Sequence, residues 1–281
     1  MIELLSSGFF TSIQDLGRFG YTEYGVPLSG AMDQNLSRLA NLLVGNPADV
    51  AVIEMTFLGP KIKFHTSEII AVSAKEAKVF LNQNTIEINH QIEVNKDDVL
   101  EVKNIKNRAY LAIAGGLNSE KKLCSRSQYE SITKTVKLQQ RDKIKFNNSK
   151  KIFHKKNASV NYNLSSYDTE KIEVYVLPEY HKLKRNENKI LTTKSFEISE
   201  QSNRMAYQLS ETLPNTLNGI KSTPVMPGTV QLTPQGKIII LMRDAQVTGG
   251  YPRIFQLTEQ SINILSQKPL KSQIKFEIIK L

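Results

Sequence analysis

The chain has 281 residues and a mass of 31.7 kDa, 40% of it hydrophobic, enough for one large β unit or two ordinary domains with real cores. A single cysteine, Cys124, excludes a disulfide framework and a cysteine cage for metal, and no apolar run reaches the roughly eighteen residues of a membrane helix. Most of the net charge of +10 lies between Lys134 and Lys156, where Lys134, Lys137, Arg141, Lys143, Lys145, Lys150, Lys151, Lys155 and Lys156 face only Asp142; with no helix-turn-helix, zinc-finger or aromatic RNA-reading pattern beside it, this reads as a solvated basic face, not a nucleic-acid interface.

The N-terminus MIELLSSGFF lacks the basic start and long apolar core of a secretory leader, so a cytoplasmic chain is expected. Short apolar runs broken by Gly, Pro, Asn or Lys-Asp predict strands over 2–5, 11–14, 61–64 and 69–73. One helix interrupts them: over MDQNLSRLANLL, Leu36, Leu39, Ala40, Leu42 and Leu43 approximate one apolar face, Asp33 is placed to cap the start, and Gly45 ends it. Hairpin patterns follow over 79–81, 85–88, 92–94 and 99–102, and an apolar strand over 109–114 stops at Gly115-Gly116. The polar stretch 147–169 reads as a domain boundary. Beyond it come strands over 172–177, 196–198, 206–209, 229–233, 238–242 and 273–279, a helix over 258–265, and a segment, 179–188, left open between helix and loop. The chain is therefore expected to be mainly β with a few short helices, in two domains, 1–160 and 161–281.

Two polar knots carry the candidate chemistry. In QDLGRFG, glycines flank Arg18, so that backbone N–H groups converge beside a guanidinium suited to a carboxylate or ureido oxygen; pairing of Arg18 with Asp15 or Asp33 to pin the loop stays equally open. Ser29-Gly30-Ala31-Met32-Asp33 feeds a helix whose first N–H groups favour negative charge, although capping alone accounts for Asp33. Asn41 and Asn46 bracket that helix's end. Glu54, inside AVIEMTF, is either a general base or a buried structural acceptor. Ser125-Arg126-Ser127 forms a further polar cluster, yet His65, His90, His154 and His181 are scattered and no motif joins one to a serine or cysteine nucleophile. The second knot, RDAQVTGGYP, follows an apolar strand and offers Thr248, the backbone amides of Gly249 and Gly250, and Tyr251, where oxyanion donors are found; a tight turn needs the same glycines. No phosphate loop, H-E-x-x-H zinc motif or Met-Lys-Met biotin-attachment site is present.

TSIQDLGRFGYTEYGVPLSGAMD, ANLLVGNPADVAVIEMTFLGP, YLAIAGGL, SRS and GTVQLTPQGKIIILMRDAQVTGGYP together resemble the KipA, or PxpC, proteins, the C-type components of 5-oxoprolinase, also called the allophanate hydrolase subunit 2 or biotin-dependent carboxyltransferase family. The resemblance implies two cyclophilin-like β-barrels. It implies a component of a hydrolase, inactive alone, that helps open 5-oxo-L-proline to L-glutamate with an A-type 5-oxoprolinase partner and a KipI-like, B-type 5-oxoprolinase partner, ATP being used by the complex. It also implies two alternatives: a KipA-like regulator that antagonises a KipI-like kinase inhibitor, and a carboxyltransferase component acting on a urea-like substrate, the one case in which biotin enters. No metal or covalently bound cofactor is implied. Pocket-lining positions carried over are Gln14, Asp15, Arg18, Ser29, Asp33, Asn41, Asn46, Glu54, Arg126, Gln231, Asp244, Thr248, Gly249, Gly250 and Tyr251, with no catalyst assigned among them. Arg18 and Tyr251 are expected to meet in one composite pocket.

The chain departs from the family pattern in three places. Leu123-Cys124-Ser125-Arg126-Ser127-Gln128 stands where relatives carry Leu-Gly-Ser-Arg-Ser-Thr, and ESITKTVKLQQ replaces a glycine-rich stretch. Leu177-Pro178-Glu179-Tyr180 replaces Leu-Pro-Gly-Pro, and SNRMAYQL replaces Ser-Asp-Arg-Met-Gly-Tyr-Arg-Leu.

Overall fold

The computed structural model describes residues 1–147 and 164–280. It divides into two compact units, the first Met1–Arg18 with Asp33–Leu164, the second Phe19–Met32 with Ser165–Leu281. Most of the stretch 147–169 expected to form the domain boundary lies outside the described residues, as does the basic run beyond Asn147. Among the described residues, no helix is long and apolar enough to cross a membrane.

The first unit contains β1 (Ile2–Ser6), β2 (Phe10–Gln14), α1 (Gln34–Leu43), β3 (Val52–Thr56), β4 (Lys61–Phe64), β5 (Glu68–Ala74), β6 (Lys78–Leu81), β7 (Asn84–Ile86), β8 (Gln91–Val94), β9 (Val99–Lys103), β10 (Arg108–Ile113), β11 (Leu117–Asn118) and β12 (Lys143–Phe146). One sheet runs β11-β12-β1-β4-β9-β6-β7 and the other β2-β3-β10-β5-β8. Outer strands such as β8 and β12 alternate buried and exposed residues, the period-two signature of a strand with one wet face. β3 and β10 are buried at every position. One face of these two strands, Ile53 and Met55 with Ala109, Leu111 and Ile113, joins the core of Ile2, Leu4, Phe64, Val72 and Leu100. Their other face carries Glu54, Thr56, Arg108 and Tyr110 beside Val52 and Ala112, and both strands pack against α1.

α1 begins where expected: Asp33 Oδ1 accepts the N–H groups of Asn35 and Leu36 at 3.0 and 3.1 Å. Its face differs in one residue from the expectation. Leu36, Leu39 and Ala40 are buried, but Leu42 is 57% exposed, because a residue six after Leu36 has turned to the far side of a helix with 3.6 residues per turn. The hairpin between β6 and β7 turns on Asn82 and Gln83, both with positive φ (49° and 71°), which matches the strand twist. Gly115 and Gly116 close β10 with φ of 80° and 79°, and a Cβ on Gly116 would sit 2.5 Å from Val50 Cγ1.

The second unit contains β13 (Lys171–Val176), α2 (Arg185–Thr193), β14 (Phe196–Glu197), β15 (Ala206–Thr212), β16 (Thr223–Pro224), β17 (Thr229–Leu232), β18 (Lys237–Leu241), β19 (Thr248–Gly249), β20 (Arg253–Leu257), α3 (Glu259–Ser266) and β21 (Gln273–Ile278). Its main sheet runs β14-β21-β13-β20-β17-β18-β15, with β13 and β21 parallel and the other pairs antiparallel; β16 and β19 pair apart from it. Phe196, Phe255 and Phe276 meet in the core with ring centroids 5.3–5.7 Å apart. Thr258 Oγ1 caps α3 by accepting the Ser261 N–H at 3.1 Å. The segment left open at 179–188 holds a 3-10 turn, Pro178–Lys182, and then the start of α2. The mainly β expectation of barrel-like domains with a few short helices is borne out.

Candidate functional site

In the first unit the QDLGR knot is organised by Asp15. The chain leaves β2 at Gln14 and turns back at Gly17, φ 113°, so that the Gly17 N–H donates to Asp15 Oδ1 at 2.9 Å. The same oxygen accepts the Ser125 and Ser127 hydroxyls at 2.7 and 2.6 Å, and Oδ2 accepts the Arg126 N–H at 2.6 Å. Ser127 Oγ in turn accepts the Asp15 N–H at 3.0 Å. The convergent donors that the glycine spacing foreshadowed are thus aimed at an anion of the chain itself. Arg18 is fully buried and donates from Nε to the Lys122 carbonyl (3.2 Å) and from Nη2 to the Ser127 carbonyl (2.7 Å). Arg126 donates from Nη1 to the Ser119 carbonyl.

Behind this knot runs a buried polar row. Strand register sets Ser12 opposite Glu54, Glu54 opposite Tyr110, and Tyr110 opposite Ser73, all four fully buried. Gln14 donates from Nε2 to Ser12 Oγ at 3.0 Å, and Arg108 Nε lies 3.9 Å from Glu54 Oε1. The Asp33 N–H donates to the Tyr110 hydroxyl at 2.8 Å, tying the cap of α1 to the row. Burial, and then the Glu54 and Asp33 carboxylates, push the Tyr110 phenol well above its ordinary value, against the Arg108 charge and the Asp33 N–H. The folded protein therefore holds that proton at a pH where the unfolded chain, titrating near 10, has lost it. Stability from this group is complete below pH 10 and falls as pH rises through the folded value. Tyr110→Phe is expected to cost about 1–2 kcal/mol at pH 8 by stranding the Asp33 N–H, and to flatten the fall in stability above pH 10; urea titrations of both proteins at the two pH values check this.

Asn41 and Asn46 fasten the end of α1. Asn41 Nδ2 donates to the Val50 carbonyl at 2.7 Å, while Asn46 Nδ2 donates to Asn41 Oδ1 and the Ile113 carbonyl, and Asn46 Oδ1 accepts the Gly115 N–H at 2.9 Å. These contacts bind the helix terminus to the glycine turn after β10.

In the second unit the Ser29-Gly30 part of the first knot meets the second knot. Ser29, buried with φ 57°, donates its hydroxyl to Asp244 Oδ1 at 2.9 Å and its N–H to the Arg243 carbonyl at 2.9 Å. Arg204, from the SNRMAYQL segment, grips Asp244 with Nε and Nη2 at 2.7 and 3.0 Å and donates from Nη2 to the Gly30 carbonyl at 2.7 Å. Arg243 pairs with Glu259 on α3.

Past this clasp, Thr248 and Gly249 form β19 against β16, and the Ile220 N–H donates to the Gly250 carbonyl at 2.8 Å. Tyr251 is 43% exposed. Gln231 is buried on β17 with its Nε2 lacking a hydrogen-bond partner among the described residues, and a Cβ on Gly249 would lie 2.4 Å from that nitrogen. Glu179, one of the departures, accepts the Arg253 N–H at 3.2 Å and pairs with its Nε at 3.3 Å. Tyr180 packs on Phe255 with centroids 5.1 Å apart. Arg18 belongs to the first unit and Tyr251 to the second.

Of the candidates, Asp15, Arg18 and Arg126 share one cluster, Asp33 and Glu54 flank Tyr110, Asn41 joins Asn46, and Ser29 joins Asp244. Sequence reasoning passed over Tyr110, Arg108 and Arg204 as site residues and met Glu179 only as a departure from the family pattern. A hydroxyl-bearing ring inside the otherwise apolar YLAIAGGL was a legible signal for Tyr110; for the other three the signal was weak, because their partners lie 40 or more residues away (Arg204 with Asp244) or across a sheet.

The model for the carboxyltransferase domain, subdomain A and B, matches residues 24–278. The C component of the Escherichia coli K12 5-oxoprolinase is 30% identical across 98% of this chain and 90% of its own length. A urea amidolyase of Lachancea kluyveri is 47% identical over 130 residues, 45% of this chain and 7% of that protein. In the Kluyveromyces lactis urea carboxylase crystal structure, the match has a TM-score of 0.87 and 27% identity, covering 99% of this chain and 27% of the larger one. On the extent of the family match, this chain belongs to the family of the carboxyltransferase domain, subdomain A and B.

Proposed function

We propose that this chain is the C-type component of an ATP-dependent 5-oxoprolinase, acting with A-type and B-type partners to open 5-oxo-L-proline to L-glutamate. The observation that carries the reading is the relationship along nearly the full length to a protein named as the C component of 5-oxoprolinase. Opening a lactam requires donors aimed at the carbonyl oxygen as charge develops on it. In this reading the second unit supplies them: the buried Gln231 amide, the Thr248 and Tyr251 hydroxyls and the backbone around Gly249. Arg18 and Asp15, committed to internal hydrogen bonds, shape the loop, and ATP is consumed by the assembled complex.

The test is reconstitution. The purified chain mixed with A-type and B-type partners is expected to show ATP hydrolysis that depends on 5-oxoproline and disappears when this chain is left out; no such hydrolysis in the full mixture rejects the reading. Stable co-purification with the B-type partner without turnover would favour the KipA-like regulatory role instead. With activity in hand, Gln231→Leu is expected to raise KM for 5-oxoproline about tenfold, the worth of one hydrogen bond at roughly 1–1.5 kcal/mol.

The local 47% identity to a urea amidolyase favours a second reading, a carboxyltransferase component for a urea-like substrate. In that reading the Gln231, Thr248 and Tyr251 groups would serve as donors to the ureido oxygen of biotin, which would bring the carboxyl group from a carrier chain. Absence of carboxyl transfer from carboxybiotin to urea, with carboxylase and carrier present, rejects it.

A further inference from the structure

One charged cleft shares only Arg126 with the pocket positions that the family resemblance implies, and neither reading uses the rest of its charges. It lies wholly in the first unit, has a volume of about 420 Å³, and is lined by Arg126, Lys134, Lys143 and Lys145 together with Glu120 and Asp142. That is the size range of small-molecule sites. Four cations against two carboxylates leave two positive charges in excess, the complement of a dianionic phosphoryl group.

The acids do not neutralise the cations in pairs. Glu120 Oε2 accepts the backbone N–H of Lys134 at 3.0 Å and its Oε1 lies 3.8 Å from Lys122 outside the cleft, while Asp142 Oδ2 accepts the Gln139 N–H at 2.8 Å. Lys134 and Lys145 make no ion pair among the described residues, and Lys143 has only a 4.0 Å approach to Glu3. The backbone that carries the cations is ordered, although the three lysine side chains are exposed. β12 alternates, so Lys143 and Lys145 share its outer face while Ile144 and Phe146 fill the core. The loop bearing Lys134 is braced by Thr133 Oγ1 accepting the Tyr129 N–H at 2.9 Å and by Gln128 Nε2 donating to Thr135 Oγ1 at 2.7 Å. Arg126, which lines the cleft, is anchored through Nη1 to the Ser119 carbonyl and through its own N–H to Asp15. ESITKTVKLQQ, the stretch that departs from the family pattern, gives this cleft Thr133, Lys134, Thr135 and Leu138.

We infer that the cleft is a binding site for a small phosphate-bearing anion, with Arg126 as the fork and Lys134, Lys143 and Lys145 as point charges. The inference stands apart from the oxoprolinase reading, since it is tested on the isolated full-length chain without partners. Calorimetric titration with pyrophosphate at about 50 mM salt is expected to show saturable single-site binding that weakens as salt is added. Lys134→Gln with Lys145→Gln is expected to weaken it at least tenfold while circular dichroism stays native, Arg126→Lys several-fold, and Lys171→Gln in the second unit not at all. Succinate is expected to bind at least tenfold more weakly than pyrophosphate. No saturable binding, or binding by the double variant within twofold of the parent, overturns the site; equal affinity for succinate overturns the phosphate assignment.

Discussion

Asp15→Ala is expected to destabilise the first unit by about 3–5 kcal/mol, the usual cost of removing one member of a buried, charge-assisted network. The residue is 9% exposed and accepts from Gly17, Ser125, Ser127 and Arg126. Alanine leaves all of those donors facing a void. Asp15→Asn keeps one acceptor oxygen but sets an NH2 group against a donor, so an intermediate loss of about 2 kcal/mol is expected. The measurement is hydrogen exchange resolved by segment, because two compact units make a single unfolding free energy ambiguous. Protection should fall first in the loop after β2 and in the Lys122–Gln128 segment. A change below about 1 kcal/mol would show that the carboxylate does not organise the loop.

Arg204→Ala and Asp244→Ala are each expected to cost about 3–5 kcal/mol in the second unit, because each strands a partner whose side chain is only 12–13% exposed. A double-mutant cycle is expected to return a coupling of about 2–3 kcal/mol. Arg204→Lys, which keeps the charge but not the planar fork, should lose about 1–2 kcal/mol. The two single variants differ in what else they release: Asp244→Ala frees the Ser29 hydroxyl, and Arg204→Ala frees the Gly30 carbonyl. In a reconstituted enzyme both should also lower turnover, since the clasp holds the start of the segment that leads from β18 to Thr248 and Tyr251. Wild-type turnover in a folded Asp244→Ala protein would separate the clasp from the chemistry.

The three departures from the family pattern put the pocket in question more than the fold. Two of them are met by local packing. Glu179, where a glycine is usual, gains an ion pair with Arg253, and Tyr180, where a proline is usual, stacks on Phe255. In SNRMAYQL, Arg204 is retained and Ala206 sits in β15 opposite Leu241. The third, ESITKTVKLQQ, exchanges a glycine-rich stretch for a braced basic loop.

Much of the architecture was legible in the chain itself, because strand alternation, glycine turns and helix caps are decided by residues within a few positions of one another. The cap at Asp33, the turn at Gly115-Gly116, the strands from β4 to β10 and α3 all follow from such local rules. The polar knots were legible too, as places where glycine, serine and charge crowd together. What each charge faces was not. Asp15 meets Ser125 over a separation of 110 residues and Ser29 meets Asp244 over 215, and no periodicity carries that information. Strand register alone sets Glu54 between Ser12 and Tyr110, turning an acid open to two roles into part of a buried row. Local chemistry settled which residues are special, and only the folded sheets decided that the donors around QDLGR close on an aspartate of the same chain.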